Sequence, residues 1–73
     1  MATLMMTINE DRGTVFEIVD TTVREQGHEC KIEVTYGHLS ENGQHITIMG
    51  SKSDLLKLQT AFEQKGYPSS VFD

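Results

Sequence analysis

The side chains of this chain that are best suited to metal binding or nucleophilic chemistry are His28, Cys30, His38 and His45. Imidazole and thiolate groups bind zinc, and a thiolate beside an imidazole can act as a nucleophile. Either chemistry requires the side chains to converge. The elements that carry them therefore decide whether such a site exists.

Apolar and polar residues alternate in CKIEVTY, residues 30–36, and again in HITIM, residues 45–49, which predicts two strands joined through SENG. Along a regular strand Cys30 and His38 are about 26 Å apart, and His28 and Cys30 about 6.6 Å apart. His45 projects from the opposite face, and two ligands do not make a structural zinc site. We therefore expect no metal site and no cofactor.

Two registers are possible for this hairpin. A two-residue turn over 42–43 puts the isoleucines of HITIM on the face away from Val34 and Tyr36. A three-residue loop over 41–43, with its glycine in the left-handed position of a bulge, puts Ile48 opposite Tyr36. We predict the second register because only it brings the apolar residues to one face.

The segment before this hairpin is rich in Val, Ile and Thr, which favour a strand. As a strand, however, both of its faces would mix apolar and charged residues. As a helix from Val15 to Gln26 it has one apolar stripe, Thr14 and Glu17 have the spacing of a capping box, and Gly27 can end it. We predict the helix, with a stripe of Val15, Ile18, Val19, Thr22, Val23 and Gln26.

The flanking segments complete the predicted order. Residues 3–8 alternate as a half-buried strand, and after Gly50 a second helix begins with capping-box spacing at Ser51 and Asp54 and ends at Gly66. The final SSVFD adds a short edge strand. The order βαββαβ predicts an α+β, ferredoxin-like fold with an antiparallel sheet and both helices on one face, formed by residues 1–73 as a single domain.

Length and charge limit the possible partners. A domain of 73 residues has a marginal core and gains stability from pairing with another chain. The formal net charge of −5 disfavours nucleic acid and anionic membranes as partners. One cysteine, no long apolar run and no signal peptide predict a cytoplasmic protein.

The segment EDRGTVFEIVDTTVREQG, residues 10–27, resembles the signature of ACT domains, which are small regulatory modules of amino-acid metabolism. Asp11 and Arg12 fall on the first signature positions, and Gly27 on the closing glycine. The apolar helix positions of the signature are matched by Val15, Phe16, Val19 and Val23. The ending KGYPSSVF is similar to the tails of ACT modules that follow paired CBS domains.

Three positions depart from the ACT pattern. The family prefers proline where this chain has Gly13 and glycine where it has Thr14. Glu29 occupies the place of an asparagine that often contacts an amino-acid ligand.

The resemblance implies a non-catalytic sensor that dimerises and modulates an attached or associated enzyme, or CBS domains, in response to a small molecule of the amino-acid type. A helix N-terminus favours a carboxylate, and a glycine there admits a ligand to the backbone. The alternative is a small acidic protein–protein adaptor or inhibitor without a ligand. We expect homodimers through the second strand, over residues 31–36, and no enzymatic activity. The expected ligand site comprises Asn9, Asp11, Arg12, Gly13, Thr14, Val15 and Glu29.

Overall fold

The computed structural model describes residues 1–27 and 31–73, and these residues form the predicted order of strands and helices. The strands pair antiparallel in one sheet of order β2-β3-β1-β4, which confirms the α+β, ferredoxin-like fold. No helix of the described ranges is long and apolar enough to cross a membrane. The elements are β1 (Ala2–Ile8), α1 (Arg12–Gln26), β2 (Glu33–Ser40), β3 (Gly43–Gly50), α2 (Lys52–Gln64) and β4 (Ser69–Phe72).

Both helices cover one face of the sheet. Alternate residues of β1 and β3 point into the core, and the stripes of α1 and α2 complete it. The predicted stripe of α1 is confirmed, with Ile18 and Gln26 only half-buried at its margin. The fully buried side chains at the centre include Leu4, Ile8, Val15, Ile48, Leu58 and Phe62.

The first helix begins three residues before the predicted start, and the predicted Thr14–Glu17 capping box is wrong. Asp11 is the N-cap, because its carboxylate accepts the backbone N–H of Thr14 at 2.9 Å. Asp is as good an N-cap as Ser or Thr, and placing the cap at Asp11 lengthens the helix by most of a turn. The C-terminal prediction is confirmed, since Gly27 has a left-handed φ of 72°.

The second helix begins and ends as predicted. The Ser51 hydroxyl accepts the backbone N–H of Asp54 at 3.3 Å, and Gly66 has a φ of 91° just after the last turn. The backbone N–H of Tyr67 then donates to the carbonyl of Phe62 at 2.9 Å. This last bond satisfies a carbonyl at the C-terminal end of the helix before the chain turns into β4.

The Thr22 hydroxyl and the Lys65 ammonium connect the two helices. The buried hydroxyl of Thr22 donates to the carbonyl of Ile18 at 2.7 Å and accepts from the ammonium of Lys65 at 2.7 Å. The same ammonium lies 2.9 Å from the carboxylate of Glu25. Lys65 therefore fixes the end of α2 against α1, and Thr22 can be buried because both its donor and its acceptor are used.

The predicted register of the hairpin is wrong, although the predicted face is right. Val34 pairs with Ile48 and Tyr36 with Ile46, which is two residues away from the predicted pairing and so leaves the apolar side chains on the same face. The loop has two residues, because Ser40 pairs with Gly43. The irregularity that we placed in the loop lies instead within β2, as a shift between Tyr36 and Leu39.

A buried glutamine accompanies this shift. Gln44 occupies the core-facing side of β3, where the alternation suggests an apolar residue, and is 1 % exposed. Its amide donates to the carbonyls of Gly37 and His45. The bulge leaves the Gly37 carbonyl without its regular place in the ladder, and the glutamine compensates for this.

Gly43 is restricted to glycine for two reasons. Its φ is 120°, and a Cβ built on it would lie 2.7 Å from the Cα of Asn9 and 2.6 Å from the carbonyl carbon of Ile8. Gly27 also has a positive φ, but a Cβ there would meet nothing within 4 Å. Substitutions at the two glycines therefore distinguish the cost of a positive φ from the cost of steric overlap.

We expect Gly27→Ala to lower the free energy of unfolding by about 1 kcal/mol, the cost of a left-handed alanine. Gly43→Ala should cost about 3 kcal/mol, because backbone atoms of β1 must also move. Denaturant unfolding of both variants measures the difference. Equal losses in the two variants would contradict the close approach of Gly43 to β1.

Candidate functional site

The predicted ligand residues lie at the junction between β1 and α1. Asn9 and Asp11 are exposed in the short connection, and Arg12 and Gly13 are exposed in the first turn of the helix. Thr14 is half-buried, and Glu29 lies outside the described residues. The last predicted residue, Val15, is fully buried in the core, so only its backbone could take part in binding.

The start of α1 is already bonded to Asp11. One carboxylate oxygen of Asp11 accepts the Thr14 N–H at 2.9 Å, and the other accepts the Thr14 hydroxyl at 2.9 Å. The N–H of Val15 donates to the Asp11 carbonyl at 2.9 Å. An external carboxylate that used the Thr14 N–H would therefore have to displace the carboxylate of Asp11.

The electrostatics agree with this arrangement. The backbone N–H of Thr14, followed by the Thr14 hydroxyl, holds the pKa of Asp11 below its usual range. The positive end of the helix dipole acts in the same direction. Asp11 therefore stays ionised at neutral pH and acts as the anion of its own helix.

Gly13 does not take a left-handed conformation. It lies within α1, and the positive-φ glycines are Gly27, Gly43 and Gly66 among the residues described. A Cβ at Gly13 would have one neighbour within 4 Å, the Asp11 carboxylate oxygen at 3.5 Å. Gly13 therefore leaves space beside the cap, which is compatible with the expected approach of a ligand to the backbone.

The structure describes two of the four residues that were considered for metal chemistry, His38 and His45. His45 is exposed on the face away from the helices, 3.2 Å from the Thr7 hydroxyl, and His38 lies at the bulge of β2. His28 and Cys30 lie outside the described residues. In residues 1–27 and 31–73, no group of three His, Cys, Asp or Glu side chains could hold a metal ion.

A second candidate surface lies where α1 meets the outer strand β2. The rings of Phe16 and Tyr36 make an edge-to-face contact with centroids 4.6 Å apart, and these side chains are 42 % and 37 % exposed. Such a pair contributes about 0.5–1.5 kcal/mol beyond its area burial. The contact links helix and strand at the surface and leaves aromatic area open to a partner.

An apolar cleft of about 300 Å³ continues from this aromatic pair along the same side. Its rim carries Asp20, which forms an exposed ion pair with Arg24 at 3.2 Å. Partial burial and the negative charge of Asp20 raise the pKa of Tyr36. The apolar lining consists of Val19, Val23, Ile32, Val34 and Tyr36.

The sequence did not reveal this surface. Phe16 lies off the buried stripe of α1, and nothing in its local pattern indicates that it contacts Tyr36, 20 residues away along the chain. An aromatic residue on the exposed side of an otherwise charged helix was the available signal. We read it only as a signature position of the family.

No family model matches this chain, and neither a curated protein nor a solved structure matches it. The resemblance to ACT domains therefore remains a prediction.

The role of Asp11 is tested by Asp11→Asn, which keeps a capping oxygen and removes the charge. Because the folded-state pKa is lowered, the carboxylate stabilises the fold above its unfolded pKa of about 3.9, and this contribution is lost as the pH falls through the folded-state pKa. We expect the unaltered chain to have the higher Tm near neutral pH. The difference from Asp11→Asn should shrink on acidification.

Thermal unfolding between about pH 7 and about pH 2 measures this difference. Glu17→Gln, at an exposed position later in α1, is the matched control for the loss of one carboxylate. The same pH dependence in both variants would contradict a specific bond between Asp11 and the helix start.

Proposed function

We propose that this chain is a non-catalytic regulatory module that works as a homodimer paired through β2. The observation that carries the proposal is the position of β2 at the edge of the sheet, next to β3 alone. An edge strand presents a row of unpaired N–H and C=O groups that can template another strand. β2 contains neither the proline nor the lysine that commonly protects such an edge.

The side chains beside this edge are incompletely buried. Ile32 and Val34 pack against the core only in part, and Tyr36 and Leu39 are exposed, Leu39 by 64 %. A second strand alongside β2 would cover Ile32, Val34, Tyr36 and the neighbouring cleft, whereas Leu39 lies beyond the bulge. Pairing would thus add buried apolar area to a domain whose own core is small.

The side chains also favour one register for the pair. Centring the twofold axis on Val34 places Ile32 opposite Tyr36 of the second copy and Glu33 opposite Thr35. Sliding the strands until Glu33 faces Glu33 would oppose like charges, which is destabilising. The bulge after Tyr36 ends the regular ladder, so pairing is confined to residues 32–36.

The module has two candidate modes of action, that of an amino-acid sensor and that of a ligand-free adaptor. The amino-acid sensor is supported by the resemblance of residues 10–27 to the ACT signature, with Asn9, Arg12 and Gly13 exposed at the helix start. The bond from the Thr14 N–H to the Asp11 carboxylate and the helical bond of the Val15 N–H oppose it, because they occupy two of the N–H groups that a carboxylate would use. The geometry thus favours the ligand-free adaptor, which modulates an enzyme or CBS domains by contact.

Two substitutions at Thr35 test the pair and its register. Thr35 is exposed, so the fold should tolerate both. Thr35→Lys would face Glu33 of the second copy and Thr35→Glu would repel it, once on each side of the twofold axis. We expect the lysine dimer to be about tenfold tighter or more than the glutamate dimer.

Sedimentation equilibrium at high protein concentration measures both dissociation constants. Thr60→Lys and Thr60→Glu, at an exposed position on α2, make the same changes in net charge away from β2. If the dissociation constants of the two Thr60 variants differed by the same factor, the effect at Thr35 would be due to net charge alone. A monomeric unaltered chain would overturn the proposal.

Glu33→Pro tests pairing independently of register, because proline removes a strand N–H and obstructs an incoming strand. We expect it to weaken the dimer, whereas Glu33→Ala, which removes only the side chain, should keep it. Circular dichroism must show that the proline variant is folded. Undiminished dimerisation of a folded Glu33→Pro would contradict pairing through β2.

A thermal-shift screen with amino acids separates the sensor from the adaptor. A ligand at 100 times its dissociation constant would stabilise the fold by about 2.7 kcal/mol. We expect no amino acid to shift Tm. A shift that Asp11→Asn alters and Glu17→Gln does not would place a ligand at the start of α1 and favour the sensor.

A further inference from the structure

The side of α1 that faces away from α2 lies beside the edge strand β2. Lys65 at the end of α2 bonds Thr22 and Glu25 on one side of α1. Phe16 is nine residues from Glu25, about two and a half turns along the helix, and therefore lies on the opposite side. There its ring contacts Tyr36 of β2. When two copies pair through β2, this outer side of α1 faces the second copy.

The spacing of the strands sets the distance between the two copies of α1. The two helices lie side by side on the sheet, α2 bonded to β4 through Gln59 and the Ser69 carbonyl, and α1 on the β2 side. Each helix therefore covers about two strands, which are about 4.8 Å apart. A twofold axis beside β2 then leaves about 10 Å between the two α1 axes. Packed helices have interaxial distances of about 8–10 Å, so the helices come into contact when the strands pair.

Strand pairing by itself is a small contact. The regular ladder on β2 is confined to residues 32–36, because the bulge after Tyr36 interrupts it. A standard interface uses about 20–30 residues on each side. The outer side of α1 adds contact area next to the strand, including Phe16, which is 42 % exposed. A stable pair through β2 therefore needs the helices as well as the strands.

The surface of α1 away from α2 carries no net charge. Among the charged residues of α1, Glu25 is bonded to Lys65 on the α2 side. The remaining two basic and two acidic residues are Arg12, Glu17, Asp20 and Arg24. In a chain of net charge −5, this balance allows two copies of the helix to approach each other without net repulsion.

The register of β2 determines which residues of the two helices meet. α1 and β2 run in opposite directions, because α1 returns the chain from the end of β1 to the start of a strand parallel to it. Two residues back along β2 from Tyr36, about 6.6 Å, lies Val34. Four residues along α1 from Phe16, about 6 Å, lies Asp20. Because Phe16 and Tyr36 are in contact, Asp20 is level with the twofold axis at Val34, and Phe16 and Arg24 lie one turn to either side of it.

We infer that α1 of each copy packs antiparallel against α1 of the other, with the Arg24 side chain of one copy against the Phe16 ring of its partner. This inference rests on the proposed dimer through β2. Twofold symmetry forms the contact twice, once on each side of the axis. The arginine contributes its apolar stem and a guanidinium, which is attracted to the face of an aromatic ring.

The two Asp20 carboxylates are the like charges that this packing brings together. Each of them forms an ion pair with Arg24 of its own copy at 3.2 Å. The two carboxylates and two guanidinium groups near the axis therefore sum to zero charge. The ion pair uses the Nε of Arg24, which lies in the plane of the guanidinium and leaves the face of that group free to stack on Phe16.

A double-mutant cycle on the dissociation constant of the dimer tests this contact. Phe16 and Arg24 are eight residues apart, about 12 Å along α1, so their substitutions should act independently within one copy. We expect Phe16→Leu and Arg24→Gln each to weaken the dimer. The double variant should bind at least about fivefold more tightly than the product of the two single effects predicts, because the contact occurs twice.

Sedimentation equilibrium of the full chain measures the four dissociation constants, and circular dichroism shows whether each variant is folded. Lys57→Gln, at an exposed position on α2, removes the same charge as Arg24→Gln and should leave the dimer nearly unchanged. Phe16→Met replaces Phe16→Leu in the cycle if the leucine variant does not fold.

The outcomes distinguish the helix contact from the proposed dimer. If Glu33→Pro disrupts the dimer but the effects of Phe16→Leu and Arg24→Gln are additive, the helix contact is overturned while the β2 dimer stands. If a folded Glu33→Pro remains dimeric and the coupling persists in it, the helix contact stands and pairing through β2 is wrong. A monomeric unaltered chain, or a Glu33→Pro dimer without coupling, would overturn both.

Discussion

The constraint on which the rest of this structure depends is that two short helices must bury one face of a four-stranded sheet. Leu4, Ile8 and Ile48 from the sheet meet Val15, Leu58 and Phe62 from the helices, and all are fully buried. Within residues 1–27 and 31–73, no further element covers the opposite face or the outer side of β2. The surfaces left over by this packing are therefore the surfaces available for function.

The start of α1 illustrates how a structural requirement and a binding role compete for the same groups. A helix N-terminus needs partners for its free N–H groups, and an anionic ligand would use those same groups. Here Asp11 supplies the partner from within the chain, with both carboxylate oxygens engaged by Thr14. The bond to Asp11 stabilises the helix and leaves one fewer N–H group free to bind a ligand.

Pairing at the edge of β2 and burial of the core depend on different forces. Pairing at the edge depends on directional backbone hydrogen bonds. Its strength is therefore set by the register and by the charged side chains that face each other across the two strands. Burial of the core depends on apolar area, so it is limited by the size of the sheet and its two helices. Pairing along β2 would add to that area, because Ile32 and Val34 are only partly buried in one copy.

The sequence by itself determined the elements and their order, because each depends on local patterns. The period of β1, the stripe of α1, the Ser51 cap and the glycines at 27 and 66 all act within a few residues. The helix prevailed over a strand-like composition because it alone gave the segment a single apolar face to bury. The edge position of β2 followed from the order of the elements.

Tertiary structure decided what depends on atoms distant in sequence. The register of β2 against β3 was fixed by the bulge and the buried Gln44, whose polar side chain offered no local signal of its bond to Gly37. The Phe16–Tyr36 contact required helix and edge strand to be placed first. At the candidate site, the sequence identified Asp11 and Thr14 as important, but only the folded geometry showed them bonded to each other. Local periodicity determines which face of a helix or strand is buried. The packing of the whole chain determines which side chains contact each other.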